Sequence, residues 1–566
     1  MAIKENILLG QMLLKKGVIS QRQLDIGLEE QLKTGQFIGI TLVKLGFIKE
    51  EELYPVLSEQ LKIPYVKIKE LNVDTEILEK VPAKFACHYK LMPVKFEKDT
   101  LTVVLTDPLD VRTLDDLRLL LGCDVVGVLA SESDIDEGIK RYYGIGADTI
   151  EEIIDTSAIT AEEIALSKRK TEDIEGLAED ASIIKFVNQI LVQAVREKAT
   201  DIHIEPYEDE MKVRYRVDGV LYDISIPQDI KYFQSAIVSR LKIMSNLDIA
   251  ERRLPQDGRV KIRVGDEELD LRISILPTQF GESVDVRLLS SKMLYSLGNL
   301  GLSSSDQKKL EGLIHKPHGI IFVTGPTGSG KTTTLYSCLS KINGKDKKII
   351  TIEDPIEYQL KGITQIQIHP RVGLNFATGL RSMLRHDPDI MMVGEVRDFE
   401  TAEITIRVAL TGHLVFSTLH TNDAAGGVTR LLDMGIEPYL VASSVECFIA
   451  QRLVRLICPQ CKVEKKPDGE ILRELGVEDD INSVLIYEGK GCEFCKFSSY
   501  KGRTAVYEFL PMSEEIREMV LHRSSSDQIK KKALGLGMHT LRMDGWKKIK
   551  QGLTTVSEVI RVTEED

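Results

Sequence analysis

Residues Gly325, Pro326, Thr327, Gly328, Ser329, Gly330, Lys331 and Thr332 spell G-x-x-x-x-G-K-T directly after the apolar run Gly319-Ile320-Ile321-Phe322-Val323. Glycines in such a turn let backbone N–H groups close around phosphate oxygens. Lys331 adds a charge at the β and γ oxygens, and Thr332 offers a hydroxyl to Mg²⁺. The segment Thr332-Thr333-Thr334-Leu335 is helix-compatible and sets Thr333 on the first turn, where the helix dipole favours the same anion. A chance match in a Gly-rich loop is the alternative. The apolar run before the turn and the helical segment after it favour a nucleoside triphosphate site.

Further polar residues stand at the ends of apolar runs. Lys348-Ile349-Ile350-Thr351-Ile352 runs into Glu353-Asp354-Pro355-Ile356-Glu357, and Ile390-Met391-Met392-Val393 runs into Gly394-Glu395. Leu414 to Leu419 leads to His420, with His413 at the entrance of the run. Ligands bind at the carboxyl ends of parallel strands, so these groups are candidates for chemistry. Glu395 is assigned as the residue that polarises the attacking water or holds the Mg²⁺ shell. His420 reads as functional, while His413 reads equally well as a structural histidine. Strands with polar ends, separated by helices, predict a RecA-like α/β core.

Cys458-Pro-Gln-Cys461 and Cys492-Glu-Phe-Cys495 form two C-x-x-C pairs separated by thirty residues. Together they could supply four thiolates to one tetrahedral Zn²⁺. Two unrelated pairs, or a thioredoxin-like redox motif, are the alternatives. The turn-like settings Cys461-Lys462 and Gly489-Lys490-Gly491 favour structural zinc. Cys87, Cys123, Cys338 and Cys447 lie in apolar or helical contexts and read as small core residues.

The elements that must hold these groups belong to several domains, because 566 residues exceed what one core supports. No stretch approaches the ~20 apolar residues of a membrane span. Met1-Ala2-Ile3-Lys4-Glu5-Asn6 has no signal-peptide core, which leads us to expect a cytoplasmic location. A net charge of −13 argues against general nucleic-acid affinity. The pattern Leu9-Gly10, Leu13, Gly17, Ile19, Leu24, Leu28, Gln31 recurs twenty-nine positions later as Ile38-Gly39, Leu42, Gly46, Ile48, Leu53, Leu57, Gln60. Residues 1–66 are therefore expected to be a small helical repeat domain. Residues 67–145 read as a small α/β unit around the strand Leu101 to Leu105 and a helix from Leu114 to Leu121. The acidic stretch 146–181 reads as a linker. Residues 182–300 open with an amphipathic helix and continue as alternating strands with an Asp218-Gly219 turn, an α+β domain. Residues 301–566 form the nucleotide domain, with the cysteine insertion at 456–500.

The ordered motifs of the last domain resemble the secretion ATPases of type II secretion and type IV pilus machines. They are the phosphate loop, the aspartate box Thr351-Ile-Glu-Asp-Pro-Ile-Glu357, the Walker B segment Asp389 to Asp398, and the histidine box from Thr411-Gly-His413 through His420 to Asp423. The cysteine quartet and two-part N-terminal region look like those of pilus-extension and secretion members. The resemblance implies a multidomain α/β protein, a RecA-like core preceded by a PAS-like α+β domain, acting as a homohexameric ATPase. ATP would sit between the 182–300 domain and the core, with Glu395 as catalytic glutamate and Glu353 and Glu357 assisting at metal or water. His420 would sense the γ-phosphate. Arg272 and Arg287 would reach the phosphates, with Arg381 a further nucleotide-binding candidate. The implied partner is an inner-membrane platform protein, giving a peripheral membrane location, and the implied work is pilin assembly or, alternatively, type II secretion.

The N-terminal repeat resembles a module that binds cyclic di-GMP, in which an Arg precedes the Leu-Gly of each half. Here Leu8 and Phe37 occupy those places, and without the two guanidinium groups a docking role is the expectation, with cyclic di-GMP sensing as the alternative. Two readings from other classes are a RecA-like nucleic-acid translocase and a scaffold that binds nucleotide without turnover. Acidic charge opposes the first, and the presence of Glu395 with the arginines opposes the second.

Overall fold

The computed structural model describes residues 9–107, 111–147, 149, 181–265, 267–290, 296–466 and 485–563. Nearly all of the acidic stretch expected as a linker, and 467–484 of the cysteine insertion, lie outside the described residues. Two compact units divide the chain, Met1–Val264 with Asp270–Leu288, and Gly265–Leu269 with Leu289–Asp566.

In the first unit the sequence repeat folds as two alike helix pairs, Leu9–Lys15 with Gln21–Thr34 and Ile38–Lys44 with Glu50–Leu61. Equivalent residues of the halves, Leu13 and Leu42, Ile19 and Ile48, Leu24 and Leu53, share one buried cluster. A Cβ on Gly10 would meet Leu24 at 2.7 Å and one on Gly39 would meet Leu53 at 3.1 Å, so each half needs its glycine to admit the leucine of its second helix.

A three-stranded sheet follows, with β1 (Leu91–Glu97) antiparallel to β2 (Thr100–Leu105) and β2 parallel to β3 (Asp124–Leu129). The parallel pair is joined through the helix Val111–Leu121, as a crossover requires.

The remaining sheet of this unit contains β4 (Asp201–Pro206), β5 (Met211–Val217), β6 (Val220–Ile224), β7 (Gln256–Val264), β8 (Glu267–Thr278) and β9 (Gly281–Ser290), in the order β6-β5-β4-β9-β8-β7. Asp218 and Gly219 both have positive φ, 51° and 89°, as a two-residue I′ hairpin between β5 and β6 demands. The helix Ala181–Arg196 buries Ile183, Phe186, Val187, Ile190, Leu191 and Ala194 at helical spacing, and Tyr215 on β5 donates its hydroxyl to the Ile190 carbonyl at 2.7 Å.

The second unit is built on β10 (Gly319–Thr324), β11 (Ile349–Glu353), β12 (Thr364–Gln367), β13 (Ile390–Val393), β14 (Leu414–Leu419), β15 (Val445–Ile457) and, after a small antiparallel pair β16 (Lys462–Lys465) and β17 (Ile486–Gly489), β18 (Tyr500–Pro511). The order is β12-β11-β13-β14-β10-β15-β18, parallel except for β15 against β18. Ile320 and Phe322 join one buried cluster, while Ile321 and Val323 join another. Both faces are therefore covered, which is why these strands read as unbroken apolar runs.

Candidate nucleotide site

Parallel strands deliver their polar ends to one edge of the sheet, and the phosphate loop, Glu353, Glu395 and His420 follow or end strands at that edge. After β10 the chain turns at Gly325, where an added Cβ would meet the Gln451 carbonyl at 2.6 Å and Ser329 Oγ at 2.7 Å. Pro326, Thr327 and Gly328 form the exposed tip, and Gly330 caps the helix Lys331–Ile342 without a side chain. The N–H groups of the first turn, with Thr332 and Thr333 on it, are thus left to an anion. Ser329 Oγ is buried and without a hydrogen-bond partner among the described residues. Lys331 donates to the carbonyls of Gly325 at 2.6 Å and Pro326 at 3.0 Å. Burial lowers its pKa to about 8, against the opposing pull of Glu395 and with help from Arg452. A half-buried cation held by carbonyls, a buried hydroxyl without a partner among the described residues and an uncapped helix N-terminus fit a triphosphate and its Mg²⁺.

Glu395 follows β13 and is buried; Arg397 Nε donates to its Oε2 at 2.7 Å, and His420 Nε2, from the end of β14, lies 3.3 Å from the same oxygen. The structure therefore joins Glu395 and His420, and the electrostatic influence of Glu395 on Lys331 ties both to the phosphate loop. Glu353, at the end of β11, turns inward. Its carboxylate accepts from Thr351, Tyr336 and Gln365, and burial raises its pKa against those hydrogen bonds. Glu357 lies four residues on, half-buried in the turn after β11, with its backbone N–H donating to Tyr336 Oη at 3.4 Å.

Three candidates take other partners. Arg381 lies on the helix Phe376–Met383 and pairs at the surface with Glu400 at 2.6 Å. His413 Nδ1 is 3.1 Å from the Val408 carbonyl and 3.2 Å from Thr411 Oγ1, contacts local to the end of the preceding helix. In the first unit Arg287 donates Nε to Asp201 at 2.9 Å, and Arg272 is half-buried on β8. Asp201 stands opposite both Arg287 and Arg216 in the sheet and holds the two guanidinium groups.

Gln451 and Arg452 were not predicted. β15 runs parallel to β10 with Ala450 opposite Thr324, so the next two residues come level with the phosphate loop. Gln451 Oε1 accepts from Thr334 Oγ1 at 2.8 Å, and the buried Arg452 donates to the Asn422 carbonyl at 2.8 Å, linking the phosphate loop to the histidine box. No spacing in the sequence announces this pair; strand register creates it.

The two C-x-x-C pairs meet. Cys458 and Cys492 Sγ are 3.7 Å apart, Cys461 and Cys495 3.8 Å, Cys492 and Cys495 3.7 Å, and all four lie within 4.8 Å of one another. A tetrahedron of Zn–S bonds of about 2.3 Å sets its sulfurs about 3.8 Å apart, so the cluster is compatible with zinc.

A family model described as "Type II/IV secretion system protein" matches residues 176–561, and one described as "MshEN domain" matches 61–149, on the three-stranded module. The type IV pilus assembly ATPase PilB of Myxococcus xanthus is 46% identical over 565 residues, 99% of each chain. The type II secretion system protein E of Xanthomonas campestris is 43% identical over 526 residues, 89% of each. Among solved structures, the Legionella pneumophila ATPase DotB matches 68% of this chain and 96% of its own with a TM-score of 0.51 at 22% identity, a likeness of fold. No helix among the described residues is long and apolar enough to cross a membrane. A strand-end nucleotide site on this sheet, a family match over most of the chain and a full-length relative together give one conclusion: the chain belongs to the type II/IV secretion system protein family and is an ATPase of it.

Proposed function

We propose that the protein is the hexameric motor that hydrolyses ATP to drive type IV pilus assembly through an inner-membrane platform protein. The observation that carries this is the contact of Glu395 with His420 at the carboxyl edge of the parallel sheet where Lys331 follows β10 at an uncapped helix N-terminus. The match to a pilus assembly ATPase over 99% of both chains supports the pilus reading. Type II secretion is the second reading, favoured by the 43% match to a type II secretion protein over 89% of each chain.

In this reading the N–H groups from Gly328 to Thr333 and the Lys331 ammonium receive the phosphates, and Thr332 supplies the hydroxyl ligand for Mg²⁺. Bound Mg²⁺ would neutralise charge developing on the phosphate oxygens. Glu395 orients and polarises the attacking water, and His420, beside it, reads the γ-phosphate end of the pocket. Glu357 serves the metal or the water. Arg272 and Arg287 add positive charge during transfer, a contribution of the kind that makes turnover depend on conformation. Cys458, Cys461, Cys492 and Cys495 hold a structural zinc. The helical repeat is a docking element, with an exposed Phe37 where a cyclic di-GMP module would carry arginine. Steady-state ATP hydrolysis by the purified chain, abolished in Glu395→Gln and unaffected by DNA, tests the motor reading. Turnover at the wild-type rate in that variant rejects it, and DNA-stimulated hydrolysis supports a translocase instead. In cells, loss of the gene should abolish pili; retained pili with lost protein export select the second reading.

A further inference from the structure

Tyr336 lies on the phosphate-loop helix, five positions beyond Lys331, and is fully buried. Its hydroxyl donates to Glu353 Oε2. Tyr336 Oη in turn accepts from Gln365 Nε2 at 3.3 Å and from the Glu357 backbone N–H at 3.4 Å. The other oxygen of Glu353 accepts from Thr351 Oγ1 at 2.5 Å and Gln365 Nε2 at 3.1 Å. Tyr358 packs edge-on against the Tyr336 ring at 4.6 Å, holding it in place. A phenol with its proton and both lone pairs engaged is a joint, and this one fastens the phosphate-loop helix, the end of β11 and the turn carrying Glu357 to one another.

We propose that Tyr336 and Glu353 are positioning residues, which fix Glu357 relative to Lys331 and Thr332, and that Glu353 does not itself serve the metal or the water. The inference rests on the nucleotide site proposed above. Removing the hydroxyl leaves a buried carboxylate short of a donor and frees the first turn of the aspartate box. Small misplacement of a group that acts on the reacting atoms is costly in rate.

The test is steady-state Mg²⁺-ATP turnover of the full chain, with Mg²⁺ and ATP each varied, for wild type, Tyr336→Phe, Glu353→Gln, the double variant, Glu357→Gln and Lys331→Ala. Tyr336→Phe should lower kcat about tenfold with the ATP KM within about threefold, and raise the Mg²⁺ concentration for half-maximal rate by about threefold or more. A purely structural lesion would reduce the active fraction and leave that Mg²⁺ midpoint in place. Glu353→Gln should reproduce the shift, and the double variant should lose no more than either single one, as members of one joint do. Wild-type kcat and Mg²⁺ midpoint in Tyr336→Phe overturn the proposal. So do losses that multiply in the double variant, or a loss in Glu353→Gln as deep as in Glu357→Gln. If Tyr336→Phe does not fold, Glu353→Gln decides by the same midpoint. Failure of the underlying site looks different: wild type would not turn over ATP, or Lys331→Ala would match it.

Discussion

The strand-end cluster of the second unit and the arginine row of the first carry similar positive charge under opposite conditions. Lys331 is half-buried and donates to two carbonyls, and desolvation lowers its pKa to about 8. Arg216 and Arg287 instead flank Asp201, a buried carboxylate that faces both across the sheet. Lys331 is met by neutral carbonyls, whereas Arg216 and Arg287 share one carboxylate, which offsets part of their charge. A phosphate would complement Lys331 directly, and the role proposed for Arg287 has it act while its Nε is shared with Asp201.

The deepest break of that contrast is loss of the strand-end charges. Lys331→Ala and Glu395→Gln should each lower turnover by about 10³ or more, with the lysine variant also losing nucleotide affinity, measured by equilibrium binding of a labelled nucleotide. Away from the nucleotide, the cysteine cluster is expected to hold one zinc per chain by native mass spectrometry. Replacing Cys458 or Cys495 with Ser should remove it and lower the melting temperature, because binding energy at a structural zinc is folding energy. A metal-free chain with wild-type melting would refute the assignment.

A smaller effect is expected at Glu558, buried at the base of the last helix, which accepts from Arg455 at 2.5 Å and Arg561 at 2.9 Å. Burial alone would raise its pKa, yet the two guanidinium groups hold it at about 2. A carboxylate depressed in the folded state adds stability above its unfolded pKa of about 4.3, and that stability is lost as pH falls from there toward about 2. Glu558→Gln should flatten that part of the acid-melting curve; an unchanged curve would show that the pair does not hold the helix. The smallest expected effect is that of cyclic di-GMP, which should change turnover by less than about twofold, since arginine is absent at both expected positions.

Much of this architecture was readable in the sequence because it depends on local rules. The phosphate turn, the Asp218-Gly219 hairpin and the helical repeat each need particular residues at fixed spacing, and the fold supplies them there. The cysteine pairs were readable by type, though only the fold unites them. The inward turn of Glu353 was hidden, since β11 is buried on both faces and gives no alternation from which to choose a side. Gln451 and Arg452 were hidden for another reason: their role comes from the register of β15 against β10, a relation between segments more than a hundred residues apart. Arg287 was readable as a candidate, but not its tie to Asp201, which depends on the pairing of β4 with β9.

The proposed division of labour is that Lys331 serves nucleotide binding while Arg287 serves hydrolysis. It is tested most directly by measuring labelled-ATP affinity and steady-state turnover on one preparation of full-length Arg287→Gln. The account predicts affinity within about threefold of wild type and turnover reduced by about 10² or more. Wild-type turnover with intact affinity would contradict it, leaving the strand-end cluster as the whole of the catalytic machinery.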